Sequence, residues 1–177
     1  AHAFVASHPP GRSMDMELAA MTWLYAGWGF RSTASPESFS SCWQQACMLQ
    51  PQLERWPGVL CFSVLSHKAP TAAGNALRGW AEANFTPPQW FDCTESDIRQ
   101  TKTISTSSRL LQRFGTGSVS EALALQAAQN DSAHRCSPPP RLLLPRIVSA
   151  DRQATLAIAT TWAPEQTPPI LKTGVFS

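Results

Sequence analysis

Apolar positions recur along this chain in two rhythms, short continuous runs and stripes spaced three or four residues apart, and the two alternate. The first run, from Met21 through Trp23, Leu24 and Tyr25 to Phe30, is rich in aromatics and carries Gly27 and Gly29 near its end, the pattern of a strand buried on both faces. Ser35, Pro36 and Glu37 then supply a cap, an N1 proline and an acid, the order in which a helix begins. Behind them Phe39, Cys42, Trp43, Ala46 and Cys47 form one apolar stripe that runs through Met48. A second unit repeats the scheme, with Gly58 to Leu65 as a buried strand, Ser66 to Ala69 as a polar loop and Pro70 as the N1 residue of a helix reaching about Asn84. A third is shorter: Gln89 to Asp92 as strand, then a helical turn capped by Thr94 and Asp97.

A hydroxyl-rich loop from Thr101 to Ser108 leads to Phe114, Gly115, Thr116, Gly117 and Ser118, which open directly into a helix rich in Ala and Leu. Ser118 is its N-cap, and Glu121 is placed to reach back to the cap's own amide, completing a capping box. The first-turn N–H groups of a helix lack partners, so this loop is also a seat for a carboxylate or phosphate; the plainer alternative is that the glycines only turn the chain. Beyond Pro138, Pro139 and Pro140, the segments Arg141 to Val148 and Ala154 to Ala159 read as strands joined through Ala150, Asp151 and Arg152. So short a connector makes an antiparallel hairpin, with Pro145 at an edge or irregularity. The whole predicts an α/β fold: a three-layer α/β/α domain over residues 21–162, with a mostly parallel sheet ending in that C-terminal antiparallel hairpin. Residues 1–20 read as a loose arm and 163–177 as a Pro-rich tail. Ligands are expected at the C-terminal ends of the strands.

Composition narrows the classes. The 177 residues suit one domain, and 43% hydrophobic against 15% charged residues make it globular. Fourteen Lys and Arg against 12 Asp and Glu give +2, spread without a basic block, which argues against nucleic acid. The five cysteines include no Cys-x-x-Cys pair, so reduced thiols are expected and a metal site is not. No window approaches about 18 uninterrupted apolar residues and no signal peptide is evident, so a soluble cytoplasmic protein off the membrane is expected.

Three blocks together resemble one family: Gly27–Trp28–Gly29–Phe30–Arg31 leading to Ser35–Pro36–Glu37; Gly115–Thr116–Gly117–Ser118–Val119–Ser120–Glu121–Ala122; and Leu143–Leu144–Pro145–Arg146 with Ala154–Thr155–Leu156–Ala157. Their order and spacing, over about Trp23 to Ala159, are similar to the cobalamin biosynthesis CobE family, itself similar to the C-terminal domain of the hydrolase CbiG. The resemblance implies a compact α/β/α domain in corrin-ring synthesis. It implies three functions: binding or carrying a corrinoid or precorrin intermediate, opening the ring-A lactone of a precorrin, or docking a methyltransferase or other cobalamin biosynthesis enzyme. There are departures. Lys68 is followed by Thr71–Ala72–Ala73–Gly74 where the family pattern has Glu-Pro-Gly, and Arg146 stands at the family's second lysine, keeping charge without an amine's proton chemistry.

A corrinoid is a large apolar macrocycle edged by acetates and propionates, and it calls for a broad apolar face with scattered anion sites. Three strand-to-helix junctions are candidates for them: Gly27 and Gly29 with Arg31 and Ser35; Ser66–His67–Lys68; and Gly115, Thr116, Gly117 and Ser118. Trp28 either lies against the ring or packs in the core. Arg31 and Lys68 either bind carboxylates or are solvated surface charge. For the hydrolase reading the acid–base candidates are His67, Lys68 and Glu121. Against these, a loop histidine is ordinarily neither shuttle nor axial ligand, and Glu121 fits capping. No cofactor of the protein's own is expected.

Overall fold

The computed structural model describes residues 23–56, 58–86, 88–135 and 139–161; the expected arm and tail lie outside them. Five strands form one mixed sheet: β1 (Trp23–Phe30), β2 (Val59–Leu65), β3 (Gln89–Cys93), β4 (Arg141–Val148) and β5 (Ala154–Thr160), in the spatial order β3-β2-β1-β5-β4. β1, β2 and β3 are parallel, as crossover connections require, whereas β5 runs antiparallel to β1 and pairs antiparallel with β4. Only β5 therefore points against the rest. Pro145 sits on the outer strand, in a stretch where the β4–β5 register shifts, so its missing N–H breaks no regular ladder.

Helices cover both faces. On one side α1 (Pro36–Leu49) and α2 (Ala72–Asn84) pack with β1 and β2 around a large aromatic cluster. On the other lies α5 (Val119–Arg135), whose Ala124, Ala127 and Ala128 are buried against Tyr25, Cys61, Ala157 and Ala159. Small residues bring this helix close to the sheet. A Cβ on Gly27 would stand 2.0 Å from the Ser120 carbonyl oxygen and 2.5 Å from the Ala124 nitrogen, so β1 tolerates no side chain there.

Helix α1 begins as its sequence dictates, with Ser35 as cap and Pro36 in the first turn, and a 3₁₀ turn (Pro51–Arg55) follows it. Two expectations shift. α2 starts at Ala72 rather than Pro70, because the Thr71 hydroxyl accepts the Gly74 N–H at 3.1 Å and so becomes the cap. The polar stretch after β3 ends in a helix the periodicity did not reveal: beyond the short α3 (Glu95–Ile98), residues Ser108–Phe114 form α4, closed by Gly115 at φ 69°. Seven residues are too few to show a helical stripe.

Candidate functional site

The C-terminal ends of β1 and β2 open on a cleft of about 690 Å³. Chain direction explains its walls. Because β5 is antiparallel to β1, with Gly29 opposite Thr155 and Phe30 opposite Ala154, the β4–β5 turn comes to the end of the sheet where β1 stops. Opposite it stands α4. Trp28, Phe30, Leu65, Phe114 and Val119 contribute apolar lining. Six cations join them: Arg31 after β1, Lys68 after β2, Arg109 and Arg113 on α4, Arg146 on β4 and Arg152 in the hairpin turn. No Asp, Glu or His lines the cleft among the described residues, and none of the six cations is ion-paired there. The arrangement suits a ligand with an apolar body and several anionic groups on its rim.

Local structure fixes several of these positions. The Lys68 carbonyl accepts the Thr71 hydroxyl at 2.6 Å, and a Cβ on Gly74 would lie 2.3 Å from that same carbonyl oxygen, so the first turn of α2 is pressed onto the lysine loop. The Arg31 N–H donates to the Gln153 carbonyl at 2.9 Å, tying the end of β1 to the hairpin turn. The Arg113 guanidinium lies 4.9 Å from the centre of the Phe114 ring.

The sequence candidates divide. Gly29, Arg31 and Lys68 line the cleft. Trp28 also borders it, but its ring is 1% exposed and meets Phe39, Phe62 and Trp80 edge-on at 5.7, 5.8 and 5.5 Å. Its indole belongs to the core beneath the cleft. Gly27 lies under α5 as described above, and Ser35 caps α1, its N–H donating to Ser38 Oγ at 3.1 Å; neither reaches the cleft lining.

The Gly115–Ser118 loop is a buried joint. The Thr116 hydroxyl donates to the Thr101 carbonyl at 3.0 Å, the Gly115 and Gly117 carbonyls accept N–H groups from Gln100 and Ser107, and a Cβ on Gly117 would lie 2.7 Å from the Ser105 carbonyl oxygen. Ser118 accepts the Glu121 N–H at 3.4 Å, which is half of the expected capping box. The other half is replaced. The Glu121 carboxylate, 0% exposed, takes the N–H groups of Ile104 and Ser105 at 3.1 Å instead of reaching back to its cap, because the loop packed over it offers two amides in need of acceptors. The His67 side chain is 48% exposed and lies 3.8 Å from Glu95, and the residue is not part of the cleft lining.

Arg109, Arg113, Arg146 and Arg152 are the cleft cations that the sequence pattern did not place there. Arg109 and Arg113 are four apart in Arg-Leu-Leu-Gln-Arg-Phe, a spacing that sets both on one helical face once a helix is recognised. The described cysteines are structural: burial pushes the Cys42 and Cys61 thiols up to about 12 and those of Cys47 and Cys93 to about 11. No cluster of His, Cys, Asp or Glu among the described residues has the makings of a metal site, and no described helix is long and apolar enough to cross a membrane.

Fold and cleft together define an α/β/α domain with a cationic, apolar-lined cavity at its strand ends. Residues 24–159 match the family model for the cobalamin synthesis G C-terminus, and the chain belongs to that family of cobalamin biosynthesis proteins. The structure is similar to the crystal structure of CobE, a protein from the cobalamin (vitamin B12) biosynthetic pathway, with a TM-score of 0.62 and 19% identity over 80% of this chain and 92% of that one. Among curated proteins no sequence matches it.

Proposed function

We propose that this protein binds, and hands on, a corrinoid or precorrin intermediate of cobalamin synthesis in the cleft at the strand ends. One observation carries the reading: among the described residues, six cations without a single acid are set around an apolar lining in a cavity of about 690 Å³. A tetrapyrrole-derived ring offers apolar faces to such a lining and a rim of acetates and propionates to the cations. An exposed charge pair is worth at most about 1 kcal/mol, so affinity requires several at once, which a polycarboxylate supplies.

Binding is favoured over lactone opening by the same lining. Lys68 is the one proton-labile cation among the six, and the two other acid–base candidates are engaged elsewhere, Glu121 with loop amides and His67 beside Glu95. A visible-absorbance titration with hydrogenobyrinic acid tests the proposal. The native protein is expected to bind at micromolar concentration or tighter, and an Arg31→Ala, Lys68→Ala double variant about ten-fold or more weaker, two contacts of roughly 1 kcal/mol each being lost. Absence of binding by the native protein would remove the corrinoid reading and leave docking of a pathway enzyme as the better account.

A further inference from the structure

Arg152 occupies a turn position that backbone geometry alone would give to glycine. Its N–H donates to the Ser149 carbonyl at 2.9 Å, while the Ser149 N–H donates to the Ala154 carbonyl at 2.9 Å and closes the hairpin. The bond from Arg152 to Ser149 defines a four-residue turn over 149–152, and Arg152, the last residue of that turn, stands in the left-handed region at φ 61°. Glycine and asparagine adopt that conformation readily; a residue with a long side chain does so under strain.

The surrounding turn enforces the strain. Ser149 Oγ accepts the N–H groups of Gln153 and Ala154 at 3.1 and 3.0 Å and donates to Asp151 at 2.6 Å. From α1, Ser38 Oγ donates to the other Asp151 oxygen at 2.6 Å. These bonds hold the Asp151 carboxyl below the usual carboxylate range, Ser149 contributing most and Ser38 next. They also engage both oxygens of the acid adjacent to Arg152 in sequence. Among the described residues Arg152 forms no ion pair, and it is an exposed residue of the cleft lining. Neither the turn nor a salt bridge accounts for an arginine here, and strain retained beside a binding cavity points to use.

Resting on the reading of the cleft given above, we propose that Arg152 is the anchor that takes one rim carboxylate of the ligand in a two-point grip. A guanidinium matches the two oxygens of a carboxylate, which an ammonium does not.

Three single variants, Arg152→Gly, Arg152→Asn and Arg152→Lys, separate this role from a structural one when thermal unfolding and the hydrogenobyrinic acid titration are measured on each. The glycine and asparagine variants are expected to keep their melting midpoint, or raise it by about 2–4 °C, while binding about ten-fold or more weaker. Lysine is expected to fall between them and the native protein, retaining charge but not the fork. Unchanged affinity in the glycine variant, with the native protein binding normally, would overturn the role of Arg152 and leave the cleft reading standing. A midpoint lowered by more than about 4 °C in both the glycine and asparagine variants would overturn it too, by showing that the turn itself needs the arginine. Failure of the native protein to bind either hydrogenobyrinic acid or uroporphyrin, an octacarboxylate tetrapyrrole, would overturn the cleft reading and this role with it.

Discussion

A carboxylate sealed from water is tolerated only where hydrogen bonds replace its hydration, and Glu121 obtains them from the Ile104 and Ser105 amides. The residue thereby fastens the segment that leads into α4, and α4 carries two of the cleft arginines. Glu121→Ala is expected to cost about 2–4 kcal/mol in denaturant unfolding, the sum of lost charge-assisted bonds and a small cavity. It should also open the loop to trypsin at Lys102, which is exposed. Unchanged stability together with unchanged protection at Lys102 would show that the carboxylate is not the fastening. Sequence identified Glu121 through its spacing from Ser118, but the spacing is silent on which amides its carboxylate finally meets. Those belong to residues 16 and 17 positions earlier in the chain.

Among the elements, β1 and α5 decide the most. Two of the glycines that looked like anion-loop residues are contact residues: Gly27 admits the Ser120 carbonyl, and Gly117 admits the Ser105 carbonyl. Gly27→Ala is expected to destabilise by about 2–3 kcal/mol, since the atoms in the way are backbone and the helix itself must shift. A midpoint in urea indistinguishable from the native value would contradict so close an approach. Strand and helix types were legible here because β1, β2, α1 and α2 are long enough for their apolar period to show. The short α4 was not, and the start of α2 was misplaced by a proline whose effect is weaker than that of the threonine hydroxyl after it.

At the scale of the molecule, a net charge of +2 hides a local concentration of six cations. Cations gathered without counter-charges make ligand affinity sensitive to ionic strength, because the Debye length shrinks from about 14 Å to about 4 Å between 0.05 and 0.5 M salt. Affinity for hydrogenobyrinic acid is therefore expected to fall about ten-fold or more over that range in an isothermal titration. A salt-independent constant would mean that apolar contact alone holds the ligand and that the cations are bystanders.

The local rhythm of the chain by itself determined the strands, most of the helices, the antiparallel hairpin and the family, because each depends on neighbours within a few residues or on short motifs. It also placed Gly29, Arg31 and Lys68 at the cleft, since they follow strands whose ends are recognisable. Only the tertiary structure decided that Arg146 and Arg152 join them. That depends on β5 lying antiparallel to β1, which brings a turn more than 110 residues away to the mouth of the parallel strands. The same folding withdrew Thr116, Ser118 and Glu121 from solvent, for a loop that can bind an anion can equally bind another stretch of its own chain, and here the segment 100–107 occupies it.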